Sequence, residues 1–120
     1  MGHYVRLLEK ARVFPIILGS PSDAVSFELV QALSRAGVPH LSGVGKWDLA
    51  QVARVLSKSK AYLGGDTGLA HLAEAVGVPA WVIFGPTVPE MGFGPWRKES
   101  RSFGSSLGCR PCGSEYQCGR

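Results

Sequence analysis

With 120 residues, 45% of them hydrophobic, the chain has enough apolar material for one small core and too little length for two ordinary domains. No run approaches the ~18–20 unbroken apolar residues of a membrane helix, and the charges at Arg6, Glu9 and Lys10 argue against a secretory leader in the opening segment. The net charge of +4 gathers late, at Arg97, Lys98, Arg101, Arg110 and Arg120; it suits phosphates, an anionic membrane surface or an ordinary solvated face, and no nucleic-acid motif accompanies it.

In chain order, Tyr4–Lys10 reads as a short helix. Phe14–Leu18 is a continuous apolar run ending at Gly19-Ser20-Pro21, as a buried strand followed by a loop would. Ala24–Ala36 has Val25, Leu29, Ala32, Leu33 and Ala36 at helical spacing, with Gly37 as the stop. Val38–Leu41 is a weak strand. Asp48 can cap a helix over Leu49–Ser57 whose apolar face is Leu49, Val52, Ala53 and Leu56. Ala61–Leu63 is the next strand, Gly64–Gly68 a tight turn, and a helix follows to about Val76-Gly77. Ala80–Phe84 is another buried strand, and Ser102–Ser105 a last short one.

This alternation implies an α/β fold: a Rossmann-like parallel sheet with helices on both faces. Ligands of such sheets sit beyond the carboxyl ends of the strands. The loops at that edge are Ser20–Asp23, Ser42–Lys46, Gly64–Gly68 and Gly85–Glu90. The expected organisation is one domain over residues 1–107 and a cysteine-containing tail over 108–120.

The run Gly64-Gly65-Asp66-Thr67-Gly68-Leu69-Ala70-His71 leads from a strand through glycines into a helix. The first amides of a helix lack partners within it, and the dipole adds positive charge there, so the turn can hold a diphosphate. It can equally serve packing alone. Thr67 can cap the helix or donate to a phosphate oxygen. Asp66 would face sugar hydroxyls or cap the helix. Leu69, Leu72, Ala73 and Val76 form the expected apolar stripe, from which His71 points away. Thr87 follows a buried strand and can reach a ligand from its end. Asp23 stands where nucleotide-binding folds place an acid on ribose hydroxyls, and also where a helix cap belongs. Lys46 and Trp47 could border a nucleotide; a solvated lysine and a tryptophan packed at the rim are the plainer reading.

Cys109, Cys112 and Cys118 crowd the last dozen residues. An odd number of thiols points to a reducing compartment. Tetrahedral zinc takes four ligands, and the three histidines are distant in sequence, so a structural role is expected and no metal.

The segment GGDTGLAHLAEAVGVPAWVIFGPTVPEMGFGPW resembles the signature of glycosyltransferase family 9, the ADP-heptose:lipopolysaccharide heptosyltransferases. Asp66, Thr67, Gly68, His71, Ala73, Ala75, Gly77, Pro79, Phe84, Gly85, Pro86, Thr87, Gly94 and Pro95 carry it; Glu74 departs from it, standing where alanine is common. Cys109-Arg110-Pro111-Cys112 is similar to a late C-x-P-C element of that family, and Cys118 also fits. Gly19-Ser20 with Asp23, and the Gly43 loop, match more loosely.

The resemblance implies the C-terminal, donor-binding half of a GT-B enzyme with two Rossmann-like domains. It implies inverting, metal-independent transfer of heptose from ADP-heptose, or a similar nucleotide-diphosphate sugar, to the lipopolysaccharide inner core, without a cofactor. Thr67 and Gly68 would bind the diphosphate, Asp66 and His71 would lie near sugar and diphosphate, Thr87 would line the site, and Asp23 would be the ribose candidate. The setting would be cytoplasmic, with peripheral contact at the inner membrane. The catalytic base would belong to a first domain outside this sequence. The donor domain's own first strand and closing helices would also lie outside it, so that the donor domain would be incomplete at its start, and a truncated chain, inactive alone, is expected. A sugar 2-epimerase of the same architecture and a non-catalytic binding remnant are the alternatives.

Overall fold

The computed structural model describes residues 2–112. The chain divides into two compact units, Met1–Val52 and Ala53–Arg120.

The first unit contains α1 (Gly2–Ala11), β1 (Ile16–Ile17), α2 (Ala24–Arg35) and β2 (Leu41–Ser42). β1 and β2 pair in parallel, Ile16 opposite Leu41 and Ile17 opposite Ser42. Both strands are shorter than their apolar runs suggest, and β2 begins only beyond Pro39, which has no N–H to give to a ladder. The core gathers Val5, Ile17, Leu33, Val38 and Val44, with Leu8, Leu29, Val30 and Ala32 packed around it. Val25, expected on the inner face of α2, is exposed.

Helix α3 (Leu49–Ser57) begins as the sequence suggests. The Gln51 amide donates to Asp48 Oδ1 at 2.8 Å and the Asp48 amide donates to Gln51 Oε1 at 3.0 Å, a reciprocal capping box.

The second unit holds β3 (Tyr62–Gly65), α4 (Gly68–Ala75), β4 (Ala80–Ile83), a 3₁₀ turn at Pro89–Met91 and β5 (Arg101–Phe103). β4 is central and pairs in parallel with both neighbours. Ala70, Ala80, Val82 and Phe84 form the core, with Tyr62 beside them, and α4 packs against β3 and β4. On the opposite face Leu63, Trp81, Ile83 and Phe103 remain exposed.

The described strands thus form two parallel sheets, β1-β2 and β3-β4-β5. A further difference concerns the glycine turn. Gly64 and Gly65 extend β3, opposite Val82 and Ile83, so the turn proper is only Asp66 and Thr67. A Cβ on Gly64 would overlap the Tyr62 hydroxyl. That glycine therefore makes room for the tyrosine ring lying over it.

Candidate functional site at the carboxyl edge of the parallel sheet

Because Gly65 of β3 is in register with Ile83 of β4, the two strands finish side by side, about 4.8 Å apart. The Asp66–Gly68 turn and the Phe84–Thr87 loop therefore leave the same edge of the sheet as neighbours.

Thr67 is the N-cap of α4, with extended backbone (φ −141°, ψ 165°), but its side chain makes no capping bond. Its hydroxyl lies instead 3.3 Å from that of Tyr62. Burial pushes the Tyr62 phenol above its ordinary value, and the Thr67 hydrogen bond offsets part of that rise. A neutral phenol can donate to Thr67 Oγ1, leaving the threonine proton for an outside acceptor. A Cβ on Gly68 would meet nothing within 4 Å, so the start of α4 is uncrowded at that position; of its first-turn amides, that of Ala70 donates to the Thr67 carbonyl at 3.0 Å.

Asp66 is half-buried, and its carboxylate accepts no hydrogen bond among the described residues; the cap it was expected to supply falls to Thr67. His71 is exposed, as its position off the apolar stripe suggests. The stripe itself is rotated: the buried residues of α4 are Ala70, Ala73 and Glu74.

Glu74 escaped the sequence reading because a charged residue is an improbable core member. It is 1% exposed. Its carboxylate accepts from the Trp96 amide at 3.0 Å, the Arg97 amide at 2.9 Å and the Ser100 hydroxyl at 2.7 Å. Ser100 Oγ in turn accepts from the Ala80 amide at 2.9 Å. A buried carboxylate needs such donors, and here they fix the 96–100 segment against α4 and the start of β4. The available signal was its place among small residues, Ala73 and Ala75, on a short helix. Tyr62 was also missed; its signal was a lone phenol just before the glycine pair.

Thr87 is half-buried in the loop after β4. Phe84 anchors that loop: its side chain is buried, and its amide donates to the Phe103 carbonyl at 2.7 Å. Cys109 and Cys112 are free thiols. Among the described residues no three potential ligands converge on a metal site, and Cys118 lies outside those residues.

Asp23 belongs to the other unit. It caps α2: Oδ1 accepts from the Ser26 amide at 3.1 Å and Oδ2 from the Ser26 hydroxyl at 2.7 Å. These bonds, the hydroxyl first and then the amide, hold its carboxyl below the ordinary value. A Cβ on Gly19 would fall 2.8 Å from Ser26 and 3.0 Å from Asp23, so the loop glycine is explained by the cap. In the same unit Trp47 lies across Gly43, whose Cβ would overlap the indole, and Lys46 is exposed.

Residues 3–118 match the family model for glycosyltransferase family 9 (heptosyltransferase). The chain belongs to this family. It is similar to two curated proteins named lipopolysaccharide heptosyltransferase 1. For the one from Pseudomonas aeruginosa the identity is 40% over 78 residues, 64% of this chain and 21% of the relative. For the one from Escherichia coli it is 36% over 73 residues, 59% of this chain and 22% of the relative. The chain therefore spans about a fifth of the length of these relatives. Its fold is similar to that of a glycosyl transferase family 9 crystal structure from Veillonella parvula, with a TM-score of 0.66 and 22% identity, over 85% of this chain and 28% of that one. The parallel Rossmann-like half expected from the sequence is thus the family's own architecture. No helix among the described residues is long and apolar enough to cross a membrane.

Proposed function

We propose that this chain supplies the donor-binding surface of an inverting, metal-independent heptosyltransferase. It would hold a nucleotide-diphosphate sugar of the ADP-heptose type for transfer to the lipopolysaccharide inner core. The observation that carries the reading is the Thr67 turn: the N-terminus of α4 and a hydroxyl that the helix cap does not consume stand at the end of β3, beside the Thr87 loop. Thr67 and Gly68 take the diphosphate, Asp66 and His71 lie toward the sugar, and Thr87 lines the site.

In the reaction, the acceptor hydroxyl oxygen bonds to the anomeric carbon from the side opposite the leaving group. The bond from that carbon to the diphosphate oxygen breaks, and its electron pair stays on the diphosphate. Helix amides and Thr67 stabilise the charge that develops there. The base that removes the acceptor proton belongs to a first domain outside this sequence. Work at the cytoplasmic face, with the late basic residues against the inner membrane, is part of the same proposal.

Titration calorimetry with ADP and with adenosine tests it. ADP should bind more tightly, and Thr67→Ala should cost about 1 kcal/mol of that binding. Equal affinity for the two ligands would defeat the reading.

A further inference from the structure

We infer that Arg110 is a positioning residue, and that the Cys109–Cys112 segment acts as a clamp on the Thr87 loop. The inference rests on the proposed donor site only for what the clamped loop binds.

The loop between Phe84 and Thr87 contains Gly85, which is flexible, and Pro86, which has no N–H; such a loop cannot fix itself through its own backbone. Three of its carbonyls are held from one short segment. Arg110 Nη2 donates to the Phe84 carbonyl at 3.1 Å and to the Thr87 carbonyl at 2.6 Å. The Cys112 amide donates to the Pro86 carbonyl at 2.9 Å. Arg110 Nη1 also donates to the Ser105 carbonyl, which ties the loop to the chain leaving β5.

Gly104 makes the slot for this guanidinium: a Cβ there would come within 3.0 Å of Nη1, 3.2 Å of Nη2 and 3.5 Å of the Phe84 carbonyl oxygen. With Nη1 and Nη2 donating to three backbone carbonyls, and Nε buried without a partner among the described residues, Arg110 acts on a ligand through the loop. The planarity of the peptide unit transmits the effect. Turning the Phe84 and Thr87 carbonyls toward Arg110 turns the Gly85 and Val88 N–H groups the opposite way, and the backbone on both sides of Thr87 is fixed. The planar fork of five donors makes arginine suited to this task; a lysine ammonium has the charge but not the span. The thiols contribute nothing to it, since Cys112 acts through its amide and Cys109 is exposed.

Amide hydrogen exchange on the full chain tests the clamp, with Val82 and Ile83 in β4 as internal reference. Arg110→Ala should speed exchange at Phe84 and Cys112, whose amides donate to the Phe103 and Pro86 carbonyls, by about tenfold or more while the reference holds. Added guanidinium ion at low-millimolar concentration should restore protection, and Arg110→Lys should restore part of it. ADP affinity should fall about tenfold in Arg110→Ala, and Thr87→Ala in that background should add little, as expected of coupled residues. Cys109→Ala should change neither exchange nor affinity.

Unchanged loop exchange in Arg110→Ala would overturn the clamp. So would equal acceleration in loop and strand without rescue by guanidinium, or an effect of Cys109→Ala as large as that of Arg110→Ala. Failure of the unsubstituted chain to bind ADP would defeat the donor-site reading, with the exchange result still deciding the clamp.

Discussion

Two stretches of this chain begin alike and are finished differently. In each unit a helix ends on a glycine in the left-handed region, Gly37 (φ 70°) after α2 and Gly77 (φ 91°) after α4. The Val38 amide then donates to the Leu33 carbonyl and the Val78 amide to the Ala73 carbonyl, with Gly37 and Gly77 donating to Ser34 and Glu74. Both are Schellman motifs, each with a buried valine after the glycine and a proline after the valine. Beyond that shared device they diverge. The first unit is secured by bonds three residues apart, Asp23 with Ser26 and Asp48 with Gln51. The second is secured by side chains reaching 22 to 26 residues along the chain, from Glu74 and Arg110. Bonds between near neighbours order a helix end; bonds across such a distance order loops that have no regular structure of their own.

Breaking the long-range network should have the largest effect. Glu74→Ala strands the Trp96 and Arg97 amides and the Ser100 hydroxyl, and should cost about 3 kcal/mol or more, read from the urea midpoint. Glu74→Gln keeps an acceptor and should cost less. Loss of a few tenths only would place the weight of the 96–100 segment elsewhere.

An intermediate effect is expected where a local rule and a distant contact meet. Gly64→Ala forces the Tyr62 ring out of its place and should cost about 2 kcal/mol by overpacking. It should also separate the Tyr62 and Thr67 hydroxyls, lowering the phenol's apparent value as it gains solvent. An ultraviolet titration of Tyr62 reads this; an unaltered titration and midpoint would show that the ring does not need the glycine.

Breaking a local cap should matter least. Asp23→Ala should cost about 1 kcal/mol. Because Ser26 holds the Asp23 carboxyl below its ordinary value, its stabilisation is full above the unfolded value of about 3.9 and is lost as pH falls through the lower folded value. Asp23→Asn keeps the cap without the titration. The stability difference between the unsubstituted chain and Asp23→Asn should therefore shrink on acidification below about pH 4. A difference independent of pH would remove Ser26 as the cause.

The same divide separates what could be read in advance from what could not. Helix α3 begins and ends where Asp48 and the Leu49–Ser57 periodicity place it, and α2 stops at Gly37, because caps and stop signals act within a few residues. Strand limits were less legible. Gly64-Gly65 reads as a turn by local preference and is strand in the fold, since Val82 and Ile83 offer it a ladder. Of the proposed site residues, Thr67 and Thr87 are picked out by their positions after strands. Tyr62, Glu74 and Arg110 are not, because their partners are set by pairing and loop closure.

Taken alone, the sequence determined the alternation of helices and strands, the parallel pairing, the family and which loops leave the carboxyl edge of the strands. Each follows from periodicity, capping chemistry or an ordered motif, all written in near neighbours. Only the tertiary structure decided that Thr67 leaves its hydroxyl free of the cap, that a buried glutamate holds the Trp96 segment, and that Arg110 lies in the slot at Gly104 with its donors on the Thr87 loop. The physical reason is that an unpaired carbonyl, amide or carboxylate must be satisfied once buried, and which distant group satisfies it is fixed only when the chain has folded.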